Sequence, residues 1–178
     1  MVIAMAGRRI DAASSEAARF PLPNVPIVER RLHELFEREA ATTLVSSAAC
    51  GADLIALGVA GNRRMRRRVV LPFSRDRFRA SSVTDRPGDW GPIYDRMLGE
   101  LDQTGDVVTL QEGSGDTAYA AANEAILLEA ATLARQAGTD VLAVLVWEGM
   151  PRPGDDMTAA FGEAAHHRGW RVEQVRTL

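Results

Sequence analysis

The sequence predicts an α/β fold: a three-layer sandwich with a mainly parallel sheet of about six strands and helices on both faces. Short apolar, β-branched runs alternate along the chain with longer segments whose apolar residues recur at helical spacing. The chain has 178 residues, which fits a single domain spanning residues 1–178. Hydrophobic residues make up 46% of it and charged residues 25%, the composition of an ordinary globular protein.

Six short segments have the composition of strands, most of them buried on both faces. In chain order they are residues 2–6, 43–47, 69–73, 107–111, 141–147 and 171–175. Strands that alternate with helices form a parallel sheet, and the crossover connections are expected to be right-handed.

Five segments between these strands are predicted to be helices: residues 28–41, 52–64, 91–101, 118–137 and 157–168. In the first, Val28, Leu32 and Phe36 recur at i, i+4 and i+8 and form one apolar face. The fourth is small or apolar nearly all round, which is typical of a helix covered on more than one side. We therefore expect it to lie in the subunit interface of a homodimer.

Two stretches show neither pattern. Residues 11–26 contain three prolines, and residues 74–92 form a long irregular segment. Loops of that length are usually functional or mobile.

The composition excludes several chemistries. The chain has no lysine, so all 21 basic residues are arginine. Schiff-base chemistry, lysine-anchored pyridoxal phosphate and a Walker A loop are therefore excluded. The single cysteine rules out an intrachain disulfide and any multi-cysteine metal site. We expect no cofactor and no metal.

Localisation and bulk charge give two further expectations. The longest apolar run, residues 141–147, is too short to span a bilayer, and no signal peptide is evident, so we expect a cytoplasmic protein without a membrane partner. The net charge of −3 argues against a dedicated nucleic-acid binder.

The most informative motif is SSAACGAD, residues 46–53, where a strand ends and a helix begins. Its small residues would let backbone N–H groups approach an anion, and the helix N-terminus adds partial positive charge. Asp53 fits the helix dipole and is a candidate for binding ribose hydroxyls. The same pattern also occurs in a tight strand-to-helix turn that binds nothing.

Two other segments follow predicted strands, where ligands bind in open α/β sheets. In AGRRID, residues 6–11, Gly7 allows close approach and Arg8 or Arg9 is a candidate phosphate clamp. In WEGMPRPGDDMT, residues 147–158, a Gly/Pro loop leads to a helix start. The second segment predicts either a further phosphate or ribose loop, or an N-cap formed by Thr158 or an Asp.

The series of motifs resembles the SLOG superfamily, which includes the Smf/DprA proteins, the LOG proteins and nucleotide-ligand sensors of bacterial conflict systems. The collinear segments are AGRRID, SSAACGADLIAL, VVLPF followed by FRASSV, TAYAAANEAILLEA, and VLAVLVWEG with a later MT. They cover nearly the whole chain. The resemblance implies a Rossmann-like fold, a nucleotide-type ligand and commonly a dimer.

The resemblance also implies ligand-binding positions. These are Gly7, the loop of Ser47, Ala48, Ala49, Cys50, Gly51 and Asp53, then Pro72, Phe73, Tyr119, Asn123, Gly149 and Thr158. The chain departs from the family in two places. Related sequences often have His where Arg8 stands, and the PGGxGTxxE signature of LOG enzymes is replaced by PGDDMTAAFGEA.

Other candidate residues have simpler interpretations. His33, His166 and His167 lack the spacing of metal ligands. Cys50 lies at a predicted helix N-terminus, a setting that lowers a thiol pKa, but no His is placed as its base, so we interpret it as a small loop residue. The basic run RRMRRR, residues 63–68, is interpreted as a solvated helix end, with phosphate contact as the alternative.

Three functions follow as hypotheses. The first is binding of a nucleotide or nucleotide-derived ligand, with a sensor as one form of that role. The second is an N-glycosidic hydrolase of nucleotides, for which Asp53 and Glu112 are the candidate catalytic carboxylates. The third is single-stranded nucleic-acid binding through the basic run, which predicts steeply salt-dependent affinity.

Overall fold

A computed structural model describes residues 1–110 and 115–178 of the chain. The strands are β1 (Val2–Gly7), β2 (Thr43–Ser46), β3 (Arg66–Leu71), β4 (Val107–Thr109), β5 (Val141–Trp147) and β6 (Arg171–Arg176). The helices are α1 (Val25–Arg38), α2 (Ala52–Asn62), α3 (Arg75–Phe78), α4 (Trp90–Asp102), α5 (Gly115–Ala137) and α6 (Met157–His167). A 3₁₀ turn (Leu22–Asn24) precedes α1, and a π-helical turn (Arg79–Val83) follows α3.

The six strands form one sheet in the order β4-β3-β2-β1-β5-β6, and every pairing is parallel. Alternate residues of β1 face opposite sides, as the two-residue period of a strand requires. Ile3 and Met5 pack with α1, α2 and α4, whereas Val2 and Ala4 pack with α5 and α6. The predicted three-layer α/β fold with a parallel six-stranded sheet is confirmed.

Strand β3 begins three residues earlier than predicted, because its arginines are neutralised within the chain. Arg66 donates to Asp106 at 2.8 Å, and Arg68 donates to Glu129 at 2.9 Å. Arg67 donates to Glu100 at 3.1 Å. These partners let residues 66–68 extend along β2 in the register Thr43↔Arg66.

Two stretches predicted to be irregular are partly helical. Helix α1 begins at Val25, because Pro26 stands in the first turn, where its missing N–H is not needed. Residues 74–92 hold α3, the π-helical turn and the start of α4. The first predicted helix therefore started three residues too late, and α3 and the π-helical turn were not predicted.

Two expectations concern what surrounds the chain: the absence of a membrane partner and a subunit interface on α5. Across the residues that the structure describes, no helix has the length and apolar character needed to cross a membrane. On α5, Leu128 is 56% exposed, but the described contacts are those of one chain. The subunit interface predicted for α5 therefore stays a prediction.

The strand order reverses at β1, whose neighbours are β2 on one side and β5 on the other. In open α/β sheets, a crevice at the carboxyl ends of the strands opens where the order reverses. Gly7 ends β1 and allows the start of α2 and strand β5 to pack closely against it. A methyl group at Gly7 would lie 2.4 Å from Cβ of Ala52 and 2.9 Å from Cβ of Val146. The tight junction positions the start of α2 beside the crevice.

Candidate functional site

A cleft of about 510 Å³ opens at this edge of the sheet. It is bordered by the ends of β1 and β2, the starts of α2 and α6, the π-helical turn, the first half of α5 and residues 9–19. Its volume falls within the roughly 300–1,000 Å³ typical of small-molecule sites. The predicted site residues that line it are Gly7, Arg8, Arg9, Ser47, Ala49, Asp53, Tyr119, Asn123 and Thr158.

Other predicted site residues are not part of the cleft lining. They are Ala48, Cys50, Gly51, Pro72, Phe73 and Gly149, none of which is among the lining residues. Phe73 supports the wall, because its ring packs edge-on against Tyr119 with 5.8 Å between centroids. Gly149 lies against the guanidinium group of Arg176. Glu112, the second candidate catalytic carboxylate, lies outside the described residues.

The loop between β2 and α2 is a packed turn in which three backbone N–H groups already have protein acceptors. The N–H of Ala49 donates to Asp53 Oδ2 at 3.1 Å, and that of Cys50 donates to the carbonyl of Ser82 at 3.0 Å. The N–H of Ala52 donates to the carbonyl of Arg8 at 3.1 Å. A ligand phosphate would have to break these bonds, which keep the turn folded, to use the three groups. Phosphate binding by this loop stays a prediction.

Gly51 fixes the shape of this turn. Its φ of +89° lies in the region that favours glycine, and a methyl group there would approach Ile10 N at 2.8 Å and Arg8 O at 2.9 Å. The glycine is needed for close packing of the loop on residues 8–10, and so for the position of Asp53 two residues later.

Arg8 is buried, 5% exposed, and its guanidinium group is held by two carboxylates. Nε and Nη2 donate to Glu148 at 2.7 and 3.1 Å, and Nη1 and Nη2 donate to Asp156 at 2.7 and 2.8 Å. Nη2 also donates to the carbonyl of Met150 at 3.0 Å. The Arg8 fork therefore ties β1 to the end of β5 and the start of α6, and is not placed to clamp a ligand phosphate.

Asp156 links this ion pair to the N-terminus of α6. Its Oδ1 accepts from the N–H groups of Thr158 and Ala159 at 3.0 and 3.2 Å, which is N-cap geometry. Burial raises its pKa, but hydrogen bonds from Arg8 and from backbone N–H groups outweigh burial and hold the pKa well below its usual range. Because this carboxylate occupies the helix N-terminus, the phosphate loop predicted there is replaced by an N-cap.

Asp53 is the buried acid of the cleft. It is 6% exposed and lines the cleft, and among the described residues its side chain accepts one hydrogen bond, from Ala49 N. Burial raises its pKa to about 7, against the opposing effects of the Ala49 hydrogen bond and the positive charge of Arg9. With this pKa the Asp53 carboxyl group titrates near neutral pH, whereas an exposed aspartate is already ionised there.

Three hydroxyl groups line the same cleft as Asp53. Ser82 Oγ and Tyr119 Oη lie 2.8 Å apart and hydrogen-bond, which joins the π-helical turn to α5. Ser47 Oγ is buried without a hydrogen-bond partner in the described parts of the chain. An unpaired buried hydroxyl is costly unless a water or ligand satisfies it, so Ser47 is a natural contact for a polar ligand.

Two guanidinium groups in the cleft lining share one acidic partner. Arg9 Nη1 donates to Asp85 at 2.8 and 3.0 Å, and Arg86 Nε lies 3.4 Å from Asp85 Oδ2. Sequence reasoning did not single out Arg86 or Ser82 as site residues. The one available signal was the length of the irregular segment 74–92 that contains both.

Cys50 does not have a reactive environment. It is 1% exposed, and burial raises the pKa of its thiol to about 11 despite the nearby charge of Arg9. The structure thus supports the interpretation of Cys50 as a small packing residue, since its thiol stays protonated at neutral pH.

The chain was compared with family models, curated proteins and solved structures. No protein-family model matches the chain, and no curated protein matches its sequence. The X-ray structure of DNA processing protein A (DprA) from Streptococcus pneumoniae aligns with a TM-score of 0.41 and 18% identity. The alignment covers 97% of this chain and 57% of that one, so this chain spans just over half of the other's length.

Proposed function

We propose that this chain binds a nucleotide or a nucleotide-derived ligand in the cleft at the carboxyl edge of its sheet. The observation that carries the proposal is the chemistry collected there: a buried carboxyl group, an unpaired buried hydroxyl group and guanidinium groups line one cleft. Small-molecule sites of this size usually combine an apolar lining with a few such polar groups.

Each kind of group matches one part of a nucleotide. The planar forks of Arg9 and Arg86 suit phosphate oxygens. Asp53 and Ser47 suit sugar hydroxyls, which both donate and accept hydrogen bonds. Tyr119 offers a ring to a base.

Thermal unfolding with a panel of nucleotides tests the proposal. The panel contains nucleoside mono-, di- and triphosphates, cyclic nucleotides, NAD and ADP-ribose. A compound that binds only the folded chain raises the midpoint in proportion to the logarithm of its concentration over its Kd. If none of these compounds raises the midpoint at millimolar concentration, the proposal fails.

A matched pair of variants locates the binding. Arg9 and Arg75 are both partly exposed and each pairs with its own aspartate, Asp85 and Asp102 respectively. Only Arg9 lines the cleft. We expect Arg9→Gln to reduce the nucleotide-dependent rise in midpoint and Arg75→Gln to leave it unchanged. An equal effect of both variants would place binding elsewhere.

A second candidate function is hydrolysis of an N-glycosidic bond, favoured by the pKa of Asp53 near 7. Such a carboxyl group can protonate a departing base, or as a carboxylate stabilise positive charge on the ribose. Water supplies the hydroxyl group to the sugar and the proton that leaves with the base. Release of free base from nucleoside monophosphates is the test: Asp53→Asn should abolish it, and no release by the unmodified chain would exclude this function.

A further inference from the structure

Asp85 occupies the space between two arginines that belong to the cleft. Its carboxylate accepts two hydrogen bonds from Arg9 Nη1, at 2.8 and 3.0 Å, and lies 3.4 Å from Arg86 Nε. Both arginines line the cleft, whereas Asp85 is not part of its lining. One internal carboxylate therefore pairs with both guanidinium groups and balances one of their two positive charges.

Arg9 has a second contact that does not depend on this carboxylate. Arg9 Nη1 also donates to the carbonyl of Ser81 at 2.9 Å, and the π-helical turn that carries Ser81 is fixed by the bond from Cys50 N to Ser82 O at 3.0 Å. Arg86 Nε is buried and finds no hydrogen-bond acceptor in the described parts of the chain, because its contact with Asp85 lacks hydrogen-bond geometry. Arg86 therefore still needs an acceptor.

We infer that Arg9 and Arg86 form an anion subsite for the phosphate group of the ligand, and that Asp85 occupies this subsite until the phosphate displaces it. The inference rests on the proposed nucleotide site and identifies where its phosphate binds. A phosphate group offers more acceptor oxygens than a carboxylate, enough to satisfy Arg9 and the unpaired Nε of Arg86 together.

The ion pairs Arg9–Asp85 and Arg8–Asp156 differ in how exposed they are, and exposure determines how easily a ligand can replace the carboxylate. The side chains of Arg9 and Asp85 are each 31% exposed, and ion pairs in such settings contribute little net stability. Arg8 and its partner Asp156 are 5% and 3% exposed, and breaking a buried pair is strongly unfavourable. A ligand phosphate is therefore expected to exchange with Asp85 and to leave the Arg8 pair intact.

Calorimetric titration with inorganic pyrophosphate tests the subsite without assuming which base or sugar the ligand carries. We expect Asp85→Asn to bind pyrophosphate about five-fold more tightly than the unmodified chain, since a weak competing ion pair is removed. Arg86→Gln, which keeps most of the aliphatic stem, should bind at least about ten-fold more weakly. The matched control is Asp95→Asn, which removes the partner of Arg79 away from the cleft.

The outcomes separate this inference from the proposed function. Tighter pyrophosphate binding by Asp85→Asn alone supports the subsite, even if no nucleotide in the panel binds. Nucleotide binding that Asp85→Asn and Arg86→Gln leave unchanged overturns the subsite while the nucleotide proposal stands. Equal effects of Asp85→Asn and Asp95→Asn also overturn it, because they reflect net charge alone. Thermal midpoints of all variants without ligand confirm that each one folds.

Discussion

Replacing Asp53 with Asn is expected to change how the stability of the protein depends on pH. Asn keeps the size of the side chain and an oxygen that can accept the hydrogen bond from Ala49 N. The substitution removes the carboxyl group, whose ionisation is unfavourable in this buried position. The variant therefore isolates the energetic effect of the Asp53 charge from its packing.

The size and sign of the effect follow from the pKa of Asp53, which burial raises from its ordinary value of 3.8 to about 7 in the folded chain. Each pKa unit corresponds to about 1.4 kcal/mol, so complete ionisation destabilises the fold by up to about 4 kcal/mol. A raised folded pKa contributes stability that is fully present below the unfolded pKa and is lost as pH rises through the folded pKa. The contribution of Asp53 therefore declines between about pH 4 and pH 7 and is absent above.

Urea unfolding at several pH values from 5 to 8.5 measures this dependence. Asp53→Asn should gain stability relative to the unmodified chain as pH rises, by about 3 kcal/mol between pH 5 and pH 8.5. Asp95→Asn is the control, because hydrogen bonding to Arg79 lowers the pKa of Asp95 and places its contribution at the acid end. If the free energy of unfolding depended on pH in the same way for Asp53→Asn and for the unmodified chain, the reasoning would be refuted. Asp53 would then have the same pKa in the folded and unfolded chains.

Three further predictions concern residues that hold the cleft in shape. Arg8→Gln should destabilise the fold by about 3–5 kcal/mol in urea unfolding, because Glu148 and Asp156 lose their shared buried cation; a loss below about 1 kcal/mol would contradict this. Gly51→Ala should lower the free energy of unfolding by at least about 1–3 kcal/mol, from backbone strain and the contact with Ile10 N, and an unchanged value would be inconsistent with the packed turn. Cys50 should resist alkylation at pH 7.5 until the chain unfolds, since burial raises its thiol pKa to about 11; rapid labelling of the folded chain would show otherwise.

The fold was predictable because its sheet is buried and parallel. Strands such as Val141–Trp147 are apolar along their whole length, and helices with one apolar face separate them. The boundaries were less predictable. Arg66, at the start of β3, pairs with Asp106, which lies forty positions along the chain and directly before β4.

The location of the candidate site was predictable, since parallel strands end at one edge and bring their following loops together. Its detailed chemistry was not. Backbone N–H groups of the loop after β2 were expected to hold phosphate, but those of Ala49, Cys50 and Ala52 bond within the protein, and Arg8 pairs with residues about 140 positions away. Arginine side chains, with Arg9 and Arg86 foremost, therefore replace the loop backbone as the expected phosphate ligands.

A titration of the isotopically labelled chain with ADP and ADP-ribose, followed by backbone amide chemical shifts, tests the central claim most directly. The account predicts saturable shifts in residues 7–10, 47–53, 82–86 and 119–123, with α1 and β6 unaffected. No shifts with either compound, or shifts confined to the arginines of β3, would contradict nucleotide binding in the cleft.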